Sequence, residues 1–248
     1  MTTTELDNRV LKLQRYISTA FGAIEGWLDI CAIDALAVIS DFQESHAIEG
    51  DALEIGVHHG RFFIALNACL RSKEVGIAID IFDSQDLNVD GSGSGSLLAF
   101  KRNLDLYTDD LSSTVIVAKD SLVMRPPDLL GRSVSGGFRL ISVDGGHTAE
   151  HVMNDLAIAS NVICNGGVVF IDDWMSPHWP GVHEGYLRYM MHANRNLAPV
   201  LFAGNKLLMT TISYHEQLLA AIRSDFKPRL PQTIREVQSY GFLFLSVC

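Results

Sequence analysis

Val143–Trp174 reads VDGGHTAEHVMNDLAIASNVICNGGVVFIDDW. Two short apolar runs in it each end in acid: Asp144 closes the first, and Asp172 with Asp173 closes the second. A helix-length segment, Ala149–Val162, joins them, which makes a strand–helix–strand unit of the kind that builds a parallel sheet. In such sheets ligands bind beyond the carboxyl ends of the strands. Asp144, Asp172, Asp173 and the nearby His147 therefore mark one edge, with three carboxylates and a titratable ring. That set suits a hard cation beside a reacting group.

The same alternation continues outward. Expected strands are Ala52–Val57, Val75–Ile81, Thr114–Ala118, Phe138–Val143 and Val168–Ile171. Expected helices lie near Arg61–Arg71, Leu97–Leu106, Ala149–Val162 and Gly181–Ala193. From Ala198, APVLFAGNKLLMTTI sets two apolar runs around Gly204-Asn205, which predicts an antiparallel hairpin. Residues 6–47 read as two or three amphipathic helices. Val10, Leu11, Leu13, Ile17 and Phe21 recur near helical spacing, as do Ile33, Leu36, Ala37 and Ile39. One helix is expected near His215–Ser224, and Phe242–Val247 is either a strand or a buried extended segment. The insert GSGSGS, Gly91–Ser96, follows Asp90 at the expected ligand edge. It reads equally as a mobile lid or as a disordered connection.

Composition narrows the function. The 248 residues are enough for one sizeable α/β domain with a full core, and 48% hydrophobic with 19% charged residues is a globular composition. A formal net charge of −10 argues against nucleic acid and against anionic membranes as partners. The longest apolar stretch, Trp27–Ile39, is interrupted by Asp29 and Asp34 and is too short to span a bilayer. Cys31, Cys69, Cys164 and Cys248 form no CxxC pair, so buried thiols in a reducing, cytoplasmic compartment are expected; the N-terminus shows no secretory pattern. GxSxG, HExxH and P-loop lysine motifs are all missing, which leaves serine hydrolase and zinc protease readings without support.

The first βα turn reads Glu54-Ile-Gly56-Val-His-His-Gly60. Glycines there let the chain turn sharply and let a ligand come close. It is not the GxGxxG fingerprint, because His58 and His59 fill the middle. As a bare pattern it is weak. Its place after the first expected strand, with Asp80 ending the second at the distance of a ribose-binding acid, strengthens it.

ALEIGVHHG, AIDIFD, AKDS, VDGGHTAEHVMNDL and NGGVVFIDDW, in that order over about residues 50–175, resemble class I S-adenosylmethionine-dependent methyltransferases. More narrowly, they are similar to the metal-dependent small-molecule O-methyltransferases that include macrolide-sugar enzymes and relatives of cephalosporin hydroxylase. The resemblance implies a Rossmann-like, doubly wound, mostly parallel seven-stranded sheet with the antiparallel hairpin at its C-terminal end. It implies one domain over residues 1–248, with a helical extension at 1–49, a cofactor-binding core at 50–212 and a C-terminal extension at 213–248. It implies S-adenosylmethionine and Mg²⁺ or a similar divalent cation as cofactors. Glu54, Gly56 and Gly60 would then form the turn around the amino-acid end and ribose of the cofactor. Asp80 would bind the ribose diol, and Asp120 and Ser121 would flank adenine. Asp144, Asp172 and Asp173 would hold the metal, and His147 matches a general base of some relatives. His58 departs from the commonest pattern, where a glycine often sits.

On elementary grounds a cation at the three acids would lower the pKa of an acceptor hydroxyl, and a neutral His147 would take its proton. The competing readings are plain ones. Asp173 is a candidate helix N-cap, Asp172 a strand-end acid, and His147 a helix opener or loop anchor. His178, Trp179 and His183 lie just past the acids and are candidates for an acceptor pocket, with Trp179 and Tyr186 also candidates for core anchors. The expected acceptor is a hydroxylated small molecule: a sugar, polyol or phenol of natural-product biosynthesis. The expected assembly is a homo-oligomer. An oxidoreductase or hydroxylase-associated protein on this fold, or a non-catalytic cofactor-binding subunit, is the alternative.

Overall fold

The computed structural model describes residues 3–229 and 233–247; Cys248 lies outside the described residues. Nine strands form one sheet: β1 (Asp51–Ile55), β2 (Gly76–Asp80), β3 (Thr114–Ala118), β4 (Phe138–Val143), β5 (Ile163–Ile171), β6 (Leu197–Ala203), β7 (Lys206–Thr211), β8 (Ile234–Ser239) and β9 (Phe242–Val247). Eight helices accompany it: α1 (Thr3–Thr19), α2 (Ile30–Ser45), α3 (Arg61–Ala68), α4 (Leu97–Tyr107), α5 (Pro126–Leu130), α6 (Ala149–Val162), α7 (Pro180–Met190) and α8 (His215–Asp225).

The strand order is β3-β2-β1-β4-β5-β7-β6-β9-β8. Strands β1 to β5 pair in parallel, and β7 returns antiparallel between β5 and β6. The α/β doubly wound expectation therefore holds, with the hairpin where Gly204-Asn205 placed it. The expected strand count of seven is corrected to nine. The Phe242–Val247 run is a strand that pairs in parallel with β6 and antiparallel with β8. Strand β8 (IREVQS) is mostly exposed, so it has no apolar run to mark it.

Alternation along each strand sorts the core into two layers. Ala52, Ala78, Leu140, Val168, Phe170 and Leu208 face α1, α2, α3, α4 and α8. Leu53, Ile77, Ile141, Val143, Val169 and Ile171 face α5, α6 and α7. Both faces of β1, β4 and most of β5 are thus covered, which is why these strands read as continuous apolar runs. Each fully buried Leu or Ile contributes about 1.5–3 kcal/mol. Truncating one of them, Ile141→Ala for example, is expected to cost about 2–5 kcal/mol.

The two ends of the sheet differ in chemistry. At the amino end of β4, buried Arg139 donates to both carboxylate oxygens of Glu74 (2.9 and 2.7 Å), to Gln43 Oε1 (2.9 Å) and to Cys69 O (2.6 Å). That end is closed by paired charges. At the carboxyl end the backbone ladder continues one residue past the strands. Gly56 N donates to Ile79 O, Asp144 N to Ile55 O and Asp172 N to Val143 O. This row sets Gly56, Asp144 and Asp172 side by side at the switch in strand order between β1 and β4.

Candidate active site

A cleft of about 880 Å³ opens over that row. Glu54, Gly56, Asp80, Asp120, Ser121, Asp144, His147, Asp172, Asp173, His178 and Trp179 line it, as do the insert residues Asp90–Gly93 and Gly95. The volume lies within the range of small-molecule sites, about 300–1,000 Å³. Gly60 and His183 do not line it. Gly60 begins α3 at φ +89°, and the Phe100 ring covers it: an added Cβ would lie 2.7 Å from that ring. His183 packs with Trp174 and Tyr186 in an aromatic cluster. Tyr186 is core, whereas Trp179 faces the cleft.

The cofactor half is braced by Asp80. Its Oδ2 accepts from Val57 N and His58 N, both at 2.7 Å, and its Oδ1 accepts from Phe82 N at 2.5 Å. Burial raises the Asp80 pKa against the pull of these amides. Oδ2 has both lone pairs engaged, while Oδ1 keeps one direction for a hydroxyl. Space beside Oδ1 depends on Gly95, where a Cβ would stand 3.0 Å away. Gly56 lines the cleft and has a second task. At φ +82°, a Cβ there would fall 1.8 Å from Asp144 O, so the glycine lets β1 and β4 close together beneath the cleft. Asp120 caps Leu122 N at 2.9 Å, and Ser121 O accepts from Asn154 at 3.1 Å, which holds that wall in place.

The three acids expected on one cation are divided. Lys206, the first residue of β7, is fully buried. Its Nζ donates to Asp172 Oδ1 at 2.6 Å and reaches Asp144 Oδ2 at 3.3 Å. It also sits 4.8 Å above the Phe62 ring. Asn205 donates to the same Asp172 Oδ1 at 2.7 Å. Burial acts to lower the Lys206 pKa, but Asp144 and Asp172 outweigh it and raise the pKa. Burial and the neighbouring Asp172 push the Asp144 carboxyl well above the usual carboxylate range, despite Lys206. Glu54 lies next to this group and is 1% exposed. Burial pushes its pKa up to about 8, with Lys206 opposing. Its Oε2 and Asn205 Oδ1 are buried acceptors with no hydrogen-bond donor among the described residues.

Asp173 turns the other way, in the left-handed region at φ +51°. Its Oδ2 stands 3.5 Å from His147 Nε2. It caps no helix, since α7 begins only at Pro180. The His147 ring stacks on Trp179 with centroids 4.4 Å apart, and its Nδ1 lies 3.1 Å from Asp90 Oδ2. Burial alone would lower the His147 pKa; Asp173 and Asp90 together raise it. The cap of α6 is Thr148, so His147 is not its opener.

Two residues of this site were missed in the sequence. Lys206 read as a hairpin residue, and Asp90 as the flank of a flexible insert. The insert is not a disordered connection. Asp90 Oδ1 accepts from Ser92 N at 2.9 Å, Asn88 donates to Ser92 O and Gly93 O, and Gly93 lies against His58 and Trp27.

A doubly wound sheet with an acid-rimmed cleft at its switch point, an acid ending β2 and a glycine turn after β1 is the arrangement of Rossmann-like nucleotide-binding folds. Residues 53–174, just under half of the chain, match the model of a methyltransferase domain family. No curated protein matches the sequence. Among solved structures, the O-methyltransferase NovP is similar over 74% of this chain and 81% of its own, with 15% identity and a TM-score of 0.62. CalS11, a TDP-rhamnose 3'-O-methyltransferase of calicheamicin biosynthesis, is similar over 84% and 93%, with 16% identity and a TM-score of 0.55. TomG of Streptomyces achromogenes, an O-methyltransferase of tomaymycin synthesis solved with S-adenosylmethionine, is similar over 83% and 89%, with 12% identity and a TM-score of 0.51. At these identities the likeness concerns the fold.

Proposed function

We propose that the chain methylates a hydroxyl of a small molecule, a sugar, polyol or phenol, with His147 as general base. One observation carries this reading. The His147 ring is clamped flat on Trp179 in the cleft, with Nδ1 turned to Asp90 and Nε2 toward Asp173. Asp90 fixes the tautomer by accepting the Nδ1 proton, which leaves Nε2 for the acceptor. The Nε2–Asp173 separation of 3.5 Å is at the limit of a hydrogen bond, so an acceptor oxygen can enter there. Both carboxylates then stabilise the imidazolium that forms.

S-adenosylmethionine supplies an electrophilic methyl on a sulfonium, and the residues present fit it. Asp80 Oδ1 retains an acceptor direction beside Gly95, and the Gly56 turn opens onto the cleft. With the cofactor bound, the acceptor oxygen would take the methyl as the C–S pair returned to sulfur, and the hydroxyl proton would pass to His147. The chain's main contribution is alignment. The rhamnose-nucleotide activity named for CalS11 supports a sugar-like acceptor.

The divalent ion expected at Asp144, Asp172 and Asp173 does not fit this arrangement. Asp172 Oδ1 already accepts from Lys206 and Asn205, and Asp173 faces His147. No step is routed through it. Self-association fits the exposed Val10 and Leu11 of α1. Cytoplasmic residence fits Cys31, Cys69 and Cys164, which form no disulfide. No helix among the described residues is long and apolar enough to cross a membrane.

Calorimetric titration with S-adenosylhomocysteine tests the cofactor. Binding that weakens about 10–100-fold in Asp80→Ala is expected; no binding to the native chain would sink the reading. Transfer of labelled methyl to a panel of hydroxylated sugars, polyols and phenols tests the acceptor class.

A further inference from the structure

We propose that Lys206 is the resident cation of this site, in the position a divalent ion would take, and that cofactor binding and methyl transfer need no added metal. The proposal rests on the methyl-transfer reading above and deepens it.

The geometry leaves an ion little to bind. Mg²⁺ demands near-octahedral oxygen ligands at about 2.0–2.1 Å. One oxygen of each acid already contacts the Lys206 ammonium: Asp172 Oδ1 at 2.6 Å and Asp144 Oδ2 at 3.3 Å. Asp172 Oδ1 has its second lone pair filled by Asn205. The third acid, Asp173, has a left-handed backbone and meets His147 Nε2 at 3.5 Å. Among the described residues, the one group of three His, Cys, Asp or Glu side chains whose ligand atoms meet within 4.8 Å is Glu25, His58 and His59, which contains none of these acids.

Charge points the same way. The ammonium is fully buried. A divalent ion placed at the acids would stand within a few ångströms of it, and like charges at such range repel strongly in a buried site. The ammonium also has its directions used: two carboxylates and the Phe62 ring surround it. Its position is built in from outside the cleft. The turn before it, Gly204-Asn205, is pressed against Asp29 at the start of α2, where a Cβ on Gly204 would meet the Asp29 side chain at 2.6 Å. A fixed ammonium thus does for Asp144 and Asp172 what an ion would do: it holds the pair together beside the acceptor space. It is a positioning residue; His147 remains the group that receives the proton.

The test uses the full chain, dialysed against EDTA and loaded with S-adenosylhomocysteine, titrated with Mn²⁺ alone and followed by electron paramagnetic resonance. The expected result is that S-adenosylhomocysteine binds with the same affinity with and without EDTA, and that no Mn²⁺ site sensitive to Asp172→Asn is seen. In Lys206→Ala the uncovered acid pair should take up Mn²⁺ at least about tenfold more tightly than the native chain, and Lys206→Ala combined with Asp172→Asn should lose that gain. One Mn²⁺ per native chain, abolished by Asp172→Asn, would overturn the proposal. That measurement on the native chain decides the matter even if Lys206→Ala does not fold. Failure of S-adenosylhomocysteine to bind at all would instead sink the methyltransferase reading and leave the Mn²⁺ result to stand alone.

Discussion

Asp90 Oδ2 accepts two hydrogen bonds from His147, one from its backbone N at 2.6 Å and one from its ring Nδ1 at 3.1 Å, across 57 residues of sequence. The Gly/Ser insert is thereby tied to the ring proposed as general base. The tie acts in both directions: hydrogen bonds from Ser92 and His147 outweigh burial and hold the Asp90 carboxyl at about 2.

The His147 pKa is raised by Asp173 and Asp90, so neutral imidazole becomes available only as pH rises through that raised value. Removing one carboxylate charge lowers it. Asp90→Asn is therefore expected to move the His147 titration to lower pH, read from the ring resonances by NMR. Methyl transfer should fall about tenfold in Asp90→Asn and about 100-fold or more in His147→Ala. An unmoved titration in Asp90→Asn would show that the two side chains are not coupled in solution.

Removing Lys206 leaves buried Glu54 and Asp172, and part-buried Asp144, around no cation. Lys206→Met should cost about 3–5 kcal/mol near neutral pH. The cost should shrink toward pH 5, because the raised acids then take up their protons at less cost relative to the unfolded chain. Urea denaturation at the two pH values measures it. A pH-independent loss would mean that packing against Phe62, and not charge, is what Lys206 supplies.

Gly56 allows no side chain. A Cβ would fall 1.8 Å from Asp144 O, and φ is +82°. Gly56→Ala is expected to lower stability by about 2–4 kcal/mol and to separate the ends of β1 and β4. Loss of cofactor binding should accompany the drop in melting temperature; a variant that melts like the native chain would contradict the close approach.

Asp155 on α6 is fully buried, and burial pushes its pKa up to about 7 despite hydrogen bonds from Ser121 and Asn154. A carboxyl raised in the folded state contributes stability that is fully present below its ordinary pKa of about 4 and is lost as pH climbs to about 7. On the order of 4 kcal/mol is involved. Asp155→Asn should flatten the stability profile across that window in thermal melts at stepped pH. A native profile already flat between pH 4 and 7 would refute the raised pKa.

How far the residues could be read in advance follows from how locally each is placed. Asp144 and Asp172 were legible because each ends an apolar run, and parallel strands put all their carboxyl ends on one side. Asp80 was legible for the same reason. Gly60 was legible as the end of the βα turn, but its contact with Phe100 was not, since a positive φ serves a helix start as well as a ligand turn. The contact of His183 with Trp174 was not legible, because helical spacing alone does not tell one side of α7 from the other.

The sequence by itself determined the doubly wound α/β core, the hairpin at Gly204-Asn205 and the edge on which the acids sit. Local hydrophobic periodicity and turn chemistry encode these, and neither needs distant partners. Only the tertiary structure decided what the acids face. Strand β7 runs antiparallel to β5, so its first residue, Lys206, lands beside the last residues of β5 with Leu207 opposite Ile171. The insert folds back to bring Asp90 onto His147, and one left-handed residue splits Asp173 from Asp172. Each is a contact between segments far apart in the chain, or a single backbone torsion. Each sets where a charge is balanced, which no periodicity records.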